Sequence, residues 1–222
     1  MNRQEAQGAE GQNKVVLGAE HFDSKAREWD QNPVFIDRAN KIAAGIRAAV
    51  PLSHTMRALD YGSGTGMLSF PLRDAVGHIV LTDASPGMLA VVVEKIAAQG
   101  VANMTVRLAT PDAAVSPDER FDLIYSSMVL HHIPDTAAIL RTWHDQLNPG
   151  GWLCIADLEQ EDGSFHGLEV DVHHGFATAG LVALARSAGF ADPSVSIVLQ
   201  IDKDLPLGTR AFPVFLLVAR KA

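Results

Sequence analysis

Cysteine and positive charge are what this sequence lacks. Cys154 stands alone in 222 residues, so no disulfide can close within the chain and no thiolate cluster can hold a metal. A reducing compartment, the cytoplasm, suits such a chain. Lys and Arg number 18 against 26 Asp and Glu, a formal net charge of -8. Clustered cations carry non-specific binding to phosphate backbones and anionic lipid, so neither nucleic acid nor a membrane surface is an expected partner. No apolar run approaches the ~18 residues of a membrane span, and no apolar segment comes after the first charges. A soluble, unprocessed protein is the expectation. Residues 1–14, MNRQEAQGAEGQNK, also lack large apolar side chains; they read as a mobile arm, extended to residue 20 in the domain reading.

The rest of the chain is rich in pattern. Phe35, Ile36, Ala39, Ile42, Ala43, Ile46 and Val50 recur at intervals of three and four, an amphipathic helix over 34–50 stopped by Pro51. Beyond it, β-forming runs at 56–61, 78–82, 104–108, 121–126, 152–157, 195–201 and 212–219 alternate with helical patterns at 68–75, 86–99, 136–147 and 177–188. Strands separated by helices require crossover connections. The expected fold is a doubly wound α/β domain over 21–222, with a seven-stranded, mostly parallel sheet covered by helices on both faces. The last two strands are separated only by 202–208, too short for a helix, so they should form an antiparallel hairpin at one edge.

The segment LDYGSGTG, residues 59–66, lies where the first strand must turn into a helix. Gly62, Gly64 and Gly66 let the backbone approach a ligand closely at the carboxyl end of the sheet, the usual crevice of open α/β folds. A dinucleotide fingerprint would space its glycines G-x-G-x-x-G, and a phosphate loop would end in Gly-Lys-Ser or Gly-Lys-Thr. Neither is present. Asp60, two residues before the first glycine, favours a cationic group over a pyrophosphate. Asp83 ends the next strand 21 residues after Gly62, the placement of an acid that accepts hydrogen bonds from ribose hydroxyls.

With these residues in view, the chain resembles the class I S-adenosylmethionine-dependent methyltransferases, in particular the broad group that methylates small molecules. The resemblance runs from about residue 59 to 158. It is carried by Asp60 with the glycines, by DASPGML at 83–89, by FDLIYSSMVLHHI at 121–133 and by LNPGGWL at 147–153. It implies S-adenosylmethionine as cofactor and a methyl transfer to a small molecule by direct displacement. The same resemblance places the methionine portion on Asp60, Gly62, Ser63, Gly64 and Gly66, the ribose on Asp83, and the adenine beside Ala84 and Met88. Ser126, Ser127 and Met128 would flank the cofactor. Relatives often show Gly-Asp-Ala at the adenine edge, whereas this chain reads LATPDA at 108–113, so Thr110 or Asp112 would serve there. A methyltransferase acting on RNA or protein, or a binding module without turnover, are the alternatives.

Catalytic groups are less legible. Six of nine histidines come after residue 130, and a histidine is the default general base for a hydroxyl or amine acceptor. The segment after the fifth strand, DLEQEDGSFH at 157–166 and EVDVHHGF at 169–176, corresponds to an insertion that forms acceptor pocket in relatives. His166, His173 and His174 are therefore the candidate bases, with Glu159 and His131 as candidate substrate contacts. No metal is expected, because adjacent histidines should point apart and no tight ligand spacing is present; His166 with Glu169 or His173 is the alternative. Phe22 and Trp29 precede the first helix where relatives fold a lid, so 21–50 is read as a helical lid and 159–176 as the acceptor insertion. Cys154 reads as a small buried hydrophobe.

Overall fold

The computed structural model describes residues 15, 18–109, 116 and 118–222. The arm at 1–14 and the adenine-edge candidates Thr110 and Asp112 lie outside the described residues. Part of the arm reading is corrected: Val15 bridges Val170, its N–H donating to the Glu169 carbonyl, and residues 19 and 20 already belong to a helix.

Two short helices, α1 (Ala19–Asp23) and α2 (Ala26–Trp29), lead into α3 (Pro33–Ala49). The last starts where Pro33 pre-sets the first turn and the Asn32 side chain accepts from the Val34 N–H. Then come β1 (Arg57–Tyr61), α4 (Ser69–Leu72), β2 (His78–Asp83), α5 (Pro86–Gln99), β3 (Met104–Leu108), β4 (Phe121–Ser127), α6 (Thr136–Gln146), β5 (Leu147–Leu158), α7 (Thr178–Ser187), β6 (Phe190–Leu205) and β7 (Gly208–Lys221). Short 3-10 turns occupy Arg73–Ala75 and Leu130–His132. On α5, Ser85 caps the start with Pro86 behind it, and Gly100 at φ 62 closes the end in the left-handed conformation. Among the described residues, no helix is long and apolar enough to cross a membrane.

The sheet runs β3-β2-β1-β4-β5-β7-β6. All neighbours are parallel except β7, which is antiparallel to both β5 and β6. Because successive side chains point to opposite faces, each central strand feeds two cores. Ala58, Leu123, Tyr125, Cys154 and Leu216 join one core under α3, α4 and α5. Leu59, Ile124, Leu153 and Leu217 join the other under α6 and α7. Each fully buried aliphatic side chain contributes ~1.5–3 kcal/mol, so this double burial accounts for the near-continuous apolar runs of β4 and β5. Cys154 is among them and wholly buried.

Three expectations about element limits change. The helix at 68–75 is one α turn followed by a 3-10 turn. The fifth strand begins at Leu147, which pairs with Phe121 before a register shift. The segment 202–208 is mostly strand: the β6–β7 ladder continues to Leu205 opposite Gly208. This outer half of β6 alternates partly buried and exposed side chains at an edge, so its polar composition concealed the strand.

Candidate functional site

Parallel register places the carboxyl ends of β1 and β2 side by side, with Tyr61 opposite Thr82. The chain leaving β1 folds across this edge: the N–H groups of Gly62 and Ser63 both donate to the Thr82 carbonyl, at 2.8 and 2.9 Å. Each glycine of the loop has positive φ, but their surroundings differ. A side chain on Gly62 would run into Val129, and one on Gly66 would meet Leu81 at 3.1 Å. Gly64 faces open space, and its N–H donates to Asp83 Oδ2 at 2.7 Å. The loop is thus packed at both ends and open in the middle.

Two carboxylates stand on this opening. Asp60 is 2% exposed and accepts from Ser69 Oγ at 2.6 Å. Burial pushes its pKa up to about 7 against that hydrogen bond, with the nearby Asp83 charge adding to the rise. Asp83 is also raised, chiefly by burial, although the N–H groups of Ser85, Gly64 and Ala84 oppose it. Loss of water raises a carboxylate's pKa because the charged form is the one that suffers. A cationic ligand is the natural complement.

The helices before α3 close the opening from above. Asp23, at the end of α1, accepts from Ser85 Oγ at 2.5 Å and from the Gly87 N–H at 2.7 Å. These two bonds, the hydroxyl's first, hold its carboxyl below the usual range. Asp30, just after α2, accepts from Thr65 Oγ1 at 2.5 Å and from Lys95 Nζ at 2.6 Å. Beneath lies a cavity of about 320 Å³ lined by Asp60, the 62–65 loop, Asp83, Ala84 and Met88. A second cavity, of about 590 Å³, is lined by His131, His132, Phe165, His166 and Lys203. Phe22, Trp29, Phe35, Arg38, Met128 and His132 line both, so the two cavities adjoin.

Three imidazoles meet at the far end. The 3-10 turn after β4 stacks His131 on His132 with ring centroids 4.2 Å apart, and the segment after β5 brings His166 Nε2 to 3.0 Å from His131 Nε2. His131 Nδ1 lies 2.7 Å from Asp157 Oδ1, and both residues are buried. Burial lowers the pKa of His132 to about 3 and that of His166 to about 4, with neighbouring imidazoles adding to the effect. Both rings are neutral at physiological pH.

A model for a methyltransferase domain matches residues 35–191. The chain belongs to that methyltransferase family. A ubiquinone biosynthesis O-methyltransferase from Cereibacter sphaeroides (strain KD131 / KCTC 12085) is 29% identical over 160 residues, 65% of this chain and 64% of the relative. One from Azorhizobium caulinodans is 31% identical over 158 residues, 68% of this chain and 62% of the relative. This chain therefore spans a little under two thirds of the length of the curated relatives it matches. A SAM dependent methyltransferase from Aquifex aeolicus superposes with a TM-score of 0.66 at 18% identity, covering 90% of this chain and 98% of that one, a likeness of fold.

For the methyltransferase family the cofactor is S-adenosylmethionine, and the donor set present here fits it. The buried Asp60 carboxylate complements a cationic amino-acid end, and the part-buried Asp83 carboxylate can accept from ribose hydroxyls. The buried Ser63 hydroxyl has no hydrogen-bond partner among the described residues and lines the cavity. Arg38 lines it too, with its pKa lowered to about 10 by burial and partly restored by Asp157. The guanidinium stacks on the Phe35 ring at 4.8 Å, and no carboxylate is bonded to it among the described residues.

Of the residues singled out from sequence, Asp60, Gly62, Ser63, Gly64, Asp83, Ala84, Met88, Ser127, Phe22 and Trp29 line the first cavity. His131 and His166 line the second. Gly66, Ser126, Glu159, His173 and His174 line neither. Gly66 is spent on packing, and Ser126 Oγ donates to the Tyr61 carbonyl. The Glu159 backbone bridges Phe176, while His173 Nε2 is bonded to the Ile133 and Pro134 carbonyls. His174 is turned towards Gly163, its Nε2 buried without a partner. The sequence reading missed Arg38, Lys203 and the convergence of His132. Arg38 did leave a signal: it falls three residues after Phe35 and four before Ile42, a charge on the apolar stripe of α3.

Proposed function

We propose that this protein transfers the methyl group of S-adenosylmethionine to an oxygen of a small-molecule acceptor. The observation that carries the reading is the pair of adjoining cavities under α1 and α2, with the glycine loop and two raised carboxylates at one end and the neutral imidazoles of His132 and His166 at the other. The relatives named as O-methyltransferases favour oxygen as the acceptor atom. The net charge of -8 argues against nucleic acid.

A sulfonium is an activated methyl donor, so the bound cofactor supplies the leaving group and electrophilic carbon. What remains for the chain is placement and exclusion of water, and placement alone is worth ~7–11 kcal/mol. Asp83 accepts from the ribose hydroxyls. Asp60 faces the cationic amino-acid end, and Arg38 pairs with its carboxylate. Ala84 and Met88 cover the adenine. Phe22 and Trp29, with 21–50 as lid, shed water from the reacting groups. Within the segment 159–176, Phe165 and His166 wall the acceptor space, and the imidazoles there present lone pairs to the acceptor.

Thermal unfolding with S-adenosylhomocysteine tests the reading. A ligand at 100 times its dissociation constant adds ~2.7 kcal/mol, which for a chain of this size raises the midpoint by about 5–10 °C. The shift should vanish in Asp83→Ala. No shift in the unsubstituted protein would overturn the assignment.

A further inference from the structure

Adjacent histidines on regular structure diverge, so a shared ligand set is not expected of them. The turn at Leu130–His132 defeats that expectation. One ring nitrogen each from His131, His132 and His166 lies within 4.8 Å of the others. We propose that these three imidazoles form a binding site for a divalent transition-metal cation, with its open coordination position facing the acceptor cavity.

The hydrogen bonds support a ligand arrangement. Asp157 is fully buried, and its carboxylate is fixed by the N–H groups of His131 and Leu158. With the proton on His131 Nδ1 donated to Asp157 Oδ1 at 2.7 Å, His131 Nε2 is left bare and aimed at the cluster. A carboxylate behind the distal nitrogen is the usual support of a metal-bound histidine, setting its tautomer and raising its basicity. The rival explanation is an ordinary hydrogen bond from His166 Nε2–H to His131 Nε2, at 3.0 Å. It accounts for two rings and leaves the third idle. The His132 ring lies against the rings of Phe22, His131 and His166, and its nitrogens have no hydrogen-bond partner among the described residues.

The donors also select the ion. Three imidazole nitrogens suit zinc, copper, iron or nickel, and disfavour magnesium and calcium, which take oxygen. Zinc held by nitrogen at ~2.0–2.1 Å in a tetrahedron would set its ligand atoms about 3.3 Å apart, close to the spacing of the His131–His166 pair. Three protein ligands with a fourth position free is the arrangement of catalytic and not structural zinc sites. All three imidazoles line the second cavity, which Arg38, Lys203 and Glu28 also line. A cation beside Lys203 calls for an anionic oxygen between them, so the acceptor it takes carries an ionised or readily ionised oxygen. This last step rests on the methyl-transfer reading; the metal site does not.

Cobalt(II) is the probe. Protein stripped with a chelator is titrated with Co2+ while visible absorption is followed. One Co2+ per chain should bind with the intense band of a low-coordinate nitrogen site, and Zn2+ should displace it. His166→Gln and His132→Gln should each weaken binding at least tenfold, whereas His173→Gln, whose ring bonds to backbone carbonyls outside the cavity, should bind as the parent does. Absence of a saturable band, or equal binding in the parent and in His166→Gln, would overturn the site. The S-adenosylhomocysteine shift measured on the same variants reports folding and the cofactor end separately. A protein that binds Co2+ but not the nucleoside would keep the metal site and lose the methyl-transfer reading.

Discussion

Asp60 is an acid held where water barely reaches, and its proton is the accessible consequence. Its folded pKa of about 7 stands above the ~3.9 of an unfolded chain. Between those values the folded state therefore holds more protons than the unfolded one. Stability from this group is present at low pH, falls as pH rises through about 4 to 7, and levels off above. A cationic ligand reverses the balance by favouring the carboxylate. Cofactor binding near pH 6 should thus release protons, seen as a buffer-dependent enthalpy in calorimetry, and Asp60→Asn should remove most of the release. A buffer-independent enthalpy in the parent would show that no charge complement forms there.

Arg38 makes a second residue-scale prediction. Its charge has lost water without gaining a carboxylate, an arrangement that favours an anionic ligand. Charged hydrogen bonds are worth ~1.5–3 kcal/mol. Arg38→Ala should weaken S-adenosylhomocysteine by about 10- to 100-fold while leaving adenosine binding nearly unchanged. Equal losses for both ligands would indicate a general packing role for the side chain.

At the scale of elements, the proposed lid is informative because helices as short as α1 and α2 have little stability of their own. They are held by latches to longer ones. Asp23 accepts at the N-terminus of α5, where its negative charge also meets the helix dipole. Asp30 ties α2 to Lys95 on α5 and to Thr65 in the glycine loop. Asp30→Ala should speed S-adenosylhomocysteine dissociation several-fold in stopped-flow, with a loss of global stability of only about 1 kcal/mol. An unchanged dissociation rate would place the gate elsewhere. The strongly patterned elements, α3 and α5, were legible to within a residue because caps, proline and period agree. β6 was legible only over 195–201: at a sheet edge the side chains of its outer end are polar, and only pairing with β7 extends the strand to Leu205.

For the whole molecule, three segments far apart in sequence wall two adjoining cavities: the helices before α3, the turn after β4 and the segment after β5. Hydrogen exchange should show S-adenosylhomocysteine protecting residues 19–30 and 128–133 together, since Phe22 packs on His132 with centroids 5.7 Å apart. Protection confined to the glycine loop would mean that the lid is not coupled to the cofactor.

Sequence by itself determined the doubly wound architecture and singled out most of the residues around the glycine loop that line the first cavity. These rest on local signals, a strand followed by a glycine turn and an acid at the next strand end, which read the same in any member of such a fold. The tertiary structure alone decided which histidines matter. His173 and His174 looked equal to His166 in the sequence, yet backbone carbonyls and the Gly163 turn claim them. His166 reaches His131 across 35 residues. Contacts of that kind depend on how an irregular segment crosses the sheet edge, and no period or spacing encodes that path.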